Sequence, residues 1–136
     1  MIKEYYKGFT LLELLIALLI LGILTALVLP AYQYQIRKAR RSDAITSLLK
    51  IQQEQEKWRA NHTTYGTLTD VWSGTSSLQG YYTMNAFTGV SSTGYTATAT
   101  ATTAGGQSND TNCTTFTLTQ AGPDVSTATK KDCWGQ

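Results

Sequence analysis

The sequence has few of the residues from which catalytic and metal sites are built. Its 136 residues include one histidine, His62, and two cysteines, Cys113 and Cys133. A catalytic triad requires a histidine beside a nucleophile and a carboxylate, and a structural zinc site usually takes four cysteine or histidine ligands. Since His62 follows Asn61 at the expected end of a helix, we interpret it as an exposed loop residue. The composition therefore predicts neither an enzyme nor a bound metal or cofactor.

The chain also has little net charge. Eleven Lys and Arg stand against nine Asp and Glu, for a formal charge of +2. Nine of the eleven basic residues lie at or before Arg59, and the Thr- and Gly-rich remainder has only Lys130 and Lys131. So small a charge gives no overall field that attracts nucleic acid. The uneven distribution indicates that the two halves of the chain have different roles.

Charged residues are nearly absent from residues 9–29, where Glu13 is the one ionisable side chain. As a helix, these 21 residues would rise about 30 Å, which is the thickness of the hydrocarbon core of a bilayer. A carboxylate in lipid costs on the order of several kcal/mol unless it is protonated or paired. The segment therefore predicts a membrane-spanning helix in which Glu13 needs a partner.

A short leader with two lysines, residues 1–8, precedes this segment and lacks the apolar run of an ordinary secretory signal. The order of Gly8, Phe9 and, four residues later, Glu13 resembles the type IV prepilin signature. The resemblance implies that a membrane-bound prepilin peptidase cuts between Gly8 and Phe9 and methylates the new amino terminus at Phe9. The alternative is a signal anchor that keeps its leader and merely tethers a small domain.

Cys113 and Cys133 lie in a Thr-rich, Lys-poor region typical of extracytoplasmic protein, so we expect a disulfide between them. A count of the Lys and Arg near the apolar span points the other way, with two before residues 9–29 and four after them, namely Arg37, Lys38, Arg40 and Arg41. Because the four begin eight residues past Leu29, and because prepilin-like signals orient with the leader inside, we follow the cysteines. We expect an inner-membrane protein with a periplasmic head, which becomes part of an extracellular pilus on assembly.

Pro30 lacks an amide hydrogen and is predicted to kink the helix, the alternative being that it ends the helix at the membrane edge. Residues 31–60 contain neither Gly nor Pro, which favours residues 30–60 as an amphipathic half of the same helix. Its apolar stripe is predicted to comprise Ala44, Leu48, Ile51, Gln55 and Trp58. The opposite face is predicted to be solvated or to meet a neighbouring subunit, and comprises Arg40, Arg41, Asp43, Lys50, Glu54, Glu56 and Lys57.

Residues 61–136 have the composition of one small head. Residues 95–102 alternate Tyr or Ala with Thr, and residues 115–119 alternate Thr with Phe116 and Leu118. This period of two predicts half-buried strands, with a further strand at residues 81–84. Residues 104–112 and 122–124 are predicted to be turns. Antiparallel strands covered by the stripe of the long helix give an α+β fold.

Further motifs extend the resemblance to the PilE-type branch of type IV pilins: Pro30-Ala31-Tyr32, residues 39–44, Gly80-Tyr81-Tyr82 and Cys133-Trp134. The resemblance implies a pilus subunit, a major or minor pilin, that inner-membrane assembly machinery polymerises with other pilin subunits. Adhesion, twitching motility and DNA uptake are the activities it implies. In the filament, Glu13 would pair with an amino terminus at Phe9 and guide assembly.

Two alternatives stay open. One is a pseudopilin of a type II secretion system, although major pseudopilins usually lack a C-terminal cysteine pair such as Cys113 and Cys133. The other is a DNA-binding role, in which Lys130 and Lys131 contact phosphates and Trp134 stacks on a base.

Overall fold

The structure of the protein is a computed structural model that describes residues 8–136. The predicted leader, except for Gly8, lies outside these residues. The chain divides into two compact units, Met1–Gln35 and Ile36–Gln136, which we call the N-terminal and C-terminal units.

The first helix, α1, spans Leu11–Arg59. It begins after Thr10, whose Oγ1 accepts a hydrogen bond from the amide of Glu13 at 3.2 Å. Thr at the N-cap and Glu three residues later are the residue types of a capping box, so the sequence favours a helix start at this point. Within the described residues, α1 is the one helix long and apolar enough to cross a membrane.

Pro30 lies inside α1, so the alternative that it ends the helix is wrong. The kink at Pro30 stays a prediction. The helix ends at Arg59, close to the predicted break between Asn61 and Gly66. The amide of Gln55 secures the chain after this end, because its Nε2 donates to the carbonyl of Gly66 at 2.7 Å and its Oε1 accepts from the amide of Gly66 at 2.8 Å.

The C-terminal unit contains a four-stranded antiparallel sheet in the order β1-β2-β3-β4. Its strands are β1 at Tyr82–Met84, β2 at Thr96–Ala101, β3 at Thr115–Thr119 and β4 at Gly122–Pro123. The register places Ala97 opposite Leu118 and Ala99 opposite Phe116. These four side chains are buried, as is the predicted stripe of α1 except for the half-buried Trp58. The predicted α+β fold is therefore confirmed.

Two predictions about the head need correction. Gly122 and Pro123 form the short edge strand β4 instead of a simple turn; Pro123 fits an edge because its missing amide hydrogen leaves no ladder bond unmade in the sheet interior. Residues 104–112 contain a 3₁₀ helix at Ala104–Asn109 in addition to the turn. Two short helices were not predicted, namely α2 at Leu68–Val71 and α3 at Ala128–Trp134.

The predicted solvated face of α1 is wrong for two of its residues. Arg41 is 3% exposed and Asp43 is 2% exposed. Each is buried because polar groups from the head satisfy its charge, as the contacts below show.

Candidate functional site

The N-terminal part of α1 is a large apolar surface. The large apolar side chains between Phe9 and Leu29 are 51% to 79% exposed. Soluble proteins rarely expose an apolar surface of this extent, and such surfaces mark contact with lipid or with other protein. This segment is the first candidate functional site.

Glu13 lies in the first turn of α1. A carboxylate at this end of a helix is stabilised by the helix dipole. Within residues 8–136, the Glu13 carboxylate has neither a hydrogen-bond partner nor an ion-pair partner in its own chain. The proposed partner, an amino terminus at Phe9, exists only after cleavage, so the pairing stays a prediction.

The predicted disulfide between Cys113 and Cys133 is confirmed, with the two Cα atoms 5.6 Å apart. Both cysteines are buried, at 0% and 5% exposure. The bond attaches α3 to the loop before β3. Beside it, the ring of Trp134 packs edge-on against the ring of Phe116, with 5.6 Å between the centroids.

A buried ion pair joins α1 to the same region. Nε of Arg41 donates to Oδ2 of Asp110 at 2.8 Å, and Nη2 donates to Oδ1 of the same carboxylate at 2.9 Å. Nη1 of Arg41 also donates to Asp132 in α3, at 3.3 Å. A fork of this kind compensates two charges that would each be costly to bury alone. Arg41 therefore fixes both the β2–β3 connection and α3 against α1.

Gln107 extends this network. Its Nε2 lies 2.9 Å from the hydroxyl of Tyr82, 3.2 Å from the carbonyl of Arg37 and 3.4 Å from Asp110. Burial raises the pKa of Tyr82 to about 12, although the hydrogen bond from Gln107 opposes this shift. The 3₁₀ helix is thereby fastened to α1 and to β1.

Asp43 performs a similar role for the segment before β1. Its carboxylate accepts hydrogen bonds from the hydroxyl of Ser77 at 2.5 Å, the amide of Gln79 at 2.9 Å and the amide of Tyr81 at 3.2 Å.

The sequence held a signal for Arg41, because position 41 continues the spacing of the stripe that contains Ala44. The sequence pattern nevertheless assigns Arg41 to the solvated face, because a charged side chain is usually exposed to water.

The predicted DNA contacts have different environments. Lys130 donates to the carboxylate of Asp124, and this bond is the main reason that the pKa of Asp124 falls to about 2. Lys131 is exposed. Trp134 is only 9% exposed and packs in the core, which argues against base stacking because a base needs an open ring face. The two lysines lie together on α3, and Trp134 does not join them at the surface.

Comparison with known proteins places these features in a family. A family model described as "Prokaryotic N-terminal methylation motif" matches residues 5–29. A second model, described as "Type IV minor pilin ComP, DNA uptake sequence receptor", matches residues 30–117, more than half of the chain. The chain therefore belongs to this family of type IV minor pilins.

Individual relatives match over shorter stretches. The fimbrial protein EcpC of Eikenella corrodens is 50% identical over 44 residues, which cover 32% of this chain and 29% of that protein. A type IV major pilin protein PilE1 of Neisseria gonorrhoeae is 39% identical over 83 residues, which cover 56% of this chain and 48% of that protein. The matched part of the chain thus spans less than half the length of either relative.

Proposed function

We propose that this chain is a structural subunit of a type IV pilus. The observation that carries the proposal is the exposed apolar surface of residues 9–29, which coincides with most of the match to the methylation motif at residues 5–29. A helix with such a surface needs lipid around it before assembly and the helices of other subunits after it. The subunit is accordingly held in the inner membrane with a periplasmic head, and then enters an extracellular filament.

The proposed maturation gives each part of the chain one role. Residues 1–8 are a leader that prepilin peptidase removes after Gly8, and Phe9 becomes the N-methylated terminus. Residues 9–29 cross the membrane and later form the filament core. Residues 30–60 are the amphipathic half of the helix, and residues 61–136 are the head. The partners are the peptidase, the inner-membrane assembly machinery and other pilin subunits.

Glu13 has a role in assembly under this proposal. Cleavage creates a positive amino terminus at Phe9, and a bundle of apolar helices makes that charge and the Glu13 carboxylate costly unless they pair. Pairing between subunits sets their register, because a misaligned subunit leaves both charges unpaired at a cost on the order of several kcal/mol.

Intact-mass measurement and filament fractionation test the proposal together. The mature mass should correspond to residues 9–136 with one added methyl group, and the protein should be recovered in pili sheared from cells that express the assembly components. A mass that includes residues 1–8 would identify a signal anchor instead. Maturation without recovery in sheared pili would contradict the pilus role and favour a pseudopilin.

A second function is DNA binding, as part of DNA uptake. It is favoured by the match of residues 30–117 to a family described as a DNA uptake sequence receptor. The test is binding of the full chain, purified in a non-ionic detergent, to a labelled DNA duplex at low and moderate salt. Absence of binding at low salt would contradict this function and leave the structural role unaffected.

A further inference from the structure

The part of α1 that belongs to the C-terminal unit has a row of exposed side chains along one face. The row begins at Lys38, ends at Glu56, and comprises Lys38, Ser42, Thr46, Leu49, Gln53 and Glu56, all of which are exposed. Successive members are three or four residues apart in sequence, so they are neighbours on the helix surface. Neither Gly nor Pro interrupts α1 between position 31 and Arg59. We call this row the exposed strip.

The two ends of the exposed strip have opposite charges, and its middle has none. Lys38 and Glu56 are 18 residues apart, which corresponds to about five full turns and about 27 Å along a helix axis. The two side chains therefore extend in the same direction from the axis, but they lie too far apart to pair within one chain. Between them are two hydroxyl groups, one amide and Leu49, which is 41% exposed.

Both charged ends of the exposed strip lack an ionic partner in their own chain. Lys38 and Glu56 form no ion pair within residues 8–136, whereas charges close to each of them are engaged. Lys57, which follows Glu56, pairs with Glu54 at 2.7 Å. Asp132, which lines an open groove together with Lys38, accepts a hydrogen bond from the buried guanidinium of α1 at 3.3 Å. The charges of Lys38 and Glu56 are thus free to pair with another molecule.

The orientation of neighbouring subunits decides how a second copy can meet the exposed strip. Copies held in one membrane by residues 9–29 point the same way, so their α1 helices run parallel under the function proposed above. Parallel copies in register would place Lys38 opposite Lys38, which is repulsive. A displacement of about 27 Å along the helix axis instead brings Lys38 of one copy beside Glu56 of the next. Charge complementarity therefore favours one axial offset between copies.

We propose that the exposed strip is a contact surface for a second copy of this chain, parallel and displaced along the helix axis, and that Lys38 of one copy pairs with Glu56 of the other. The proposal rests on the pilus-subunit function proposed above and adds to it a surface through which neighbouring subunits meet. Each copy uses different residues toward its two neighbours, so the contact is heterologous. A heterologous contact that does not close into a ring repeats along a helical filament.

Charge reversal tests this pairing in cells that express the assembly components. Lys38→Glu and Glu56→Lys each place like charges opposite one another. Each should lower the fraction of the chain recovered in sheared pili about five-fold, the factor that corresponds to the upper range for an exposed ion pair. The double variant, with both reversals, restores opposite charges and should recover the parental fraction. Lys131→Glu is the matched control, because Lys131 is an exposed lysine on α3, outside the exposed strip.

Cross-linking tests the same contact without a change of charge sign. One tagged chain has Lys38→Cys, and a second chain with a different tag has Glu56→Cys. The native cysteines are joined to each other, so a short bis-maleimide should react only at the new positions. It should join the two tagged chains in sheared pili. Two chains that both have Lys38→Cys should not be joined.

The outcomes separate this proposal from the function on which it rests. If the parent chain is recovered in sheared pili and the single reversals behave like Lys131→Glu, the contact is overturned although the pilus role stands. Single losses that the double variant does not restore also overturn it, because the two positions then do not pair. Cross-links to a different pilin alone would show that the occupant is not a second copy. If the parent chain is absent from sheared pili, the pilus function itself fails. An unchanged melting temperature shows that each variant is folded.

Discussion

The guanidinium of Arg41 and the carboxylate of Asp110 form a two-pronged ion pair, with N–O distances of 2.8 and 2.9 Å, and the two side chains are each 4% exposed. The residues are 69 positions apart. One belongs to the long helix and the other to the connection between β2 and β3. This pair is the main polar link that holds the disulfide-bonded region of the head against α1, and the stability of that region should depend on it.

Arg41→Ala should therefore destabilise the C-terminal unit strongly. Removal of one partner leaves the Asp110 carboxylate buried and uncompensated, at a cost of about 3–5 kcal/mol. Urea unfolding of the full chain in detergent, followed by tryptophan fluorescence, measures this change. Lys57→Ala is the control: Lys57 pairs with Glu54 at the surface, and such pairs contribute about 0–1 kcal/mol. An equal loss of unfolding free energy in both variants would show that the buried pair stabilises the unit no more than the surface pair does.

Removal of the disulfide should also lower stability. The cysteines are 20 residues apart in sequence, and closing a loop of this length contributes about 3 kcal/mol in the chain-entropy model. Replacing both Cys113 and Cys133 by Ser should lower the melting temperature of the full chain. The oxidised parent treated with a reductant should show the same shift. A transition that does not move in either case would show that α3 is held sufficiently by Trp134 and Arg41.

Glu13→Ala should leave the protein in the membrane but reduce its recovery in sheared filaments, because the amino terminus of a neighbouring subunit loses its partner. Cell fractionation measures both pools. The hydrogen bond that Thr10 accepts at the helix start comes from the backbone amide of Glu13, so both substitutions retain it. Glu13→Gln tests the charge alone, since Gln has nearly the size and polarity of Glu but no charge. Normal incorporation of Glu13→Gln would contradict the proposed pairing.

The bond between Lys130 and Asp124 predicts a local pH dependence. The pKa of Asp124 falls from its ordinary value of 3.8 to about 2 in the folded chain. A lowered carboxyl pKa stabilises the fold above the unfolded value, and this contribution is lost as the pH falls from about 4 to about 2. The amide of Ser126 donates to Asp124 at 3.1 Å, so its NMR shift reports the titration.

Lys130→Gln should raise the midpoint of this titration, because it removes the largest cause of the lowered pKa. Lys131→Gln should leave the midpoint where it is, since Lys131 forms no ion pair in the described part of the chain. A midpoint that moves equally in both variants would mean that general positive charge, and not the specific bond, sets the pKa of Asp124.

Some features were readable from the sequence because they depend on local pattern. The strict alternation of residues 95–102 and 115–119 specifies which side chains of β2 and β3 turn inward, whatever the rest of the chain does. The length and apolar composition of residues 9–29 likewise predict a membrane-spanning helix without reference to the rest of the chain. The disulfide was also predictable, because two cysteines allow a single pairing within the chain. Short elements such as β4 and α3 lack a repeating pattern and were missed or read as turns.

The features of the candidate sites can likewise be divided into those that the sequence predicted and those that only the tertiary structure determined. From the sequence come the apolar segment, the position of Glu13 within it and the presence of adjacent lysines on the C-terminal tail. The tertiary structure alone buried Arg41 and Asp43 and placed Trp134 in the core. The physical reason is that a charge is buried only where a partner compensates it, and these partners come from segments distant in sequence. A local sequence pattern does not show which residue, distant in sequence, will compensate a given charge.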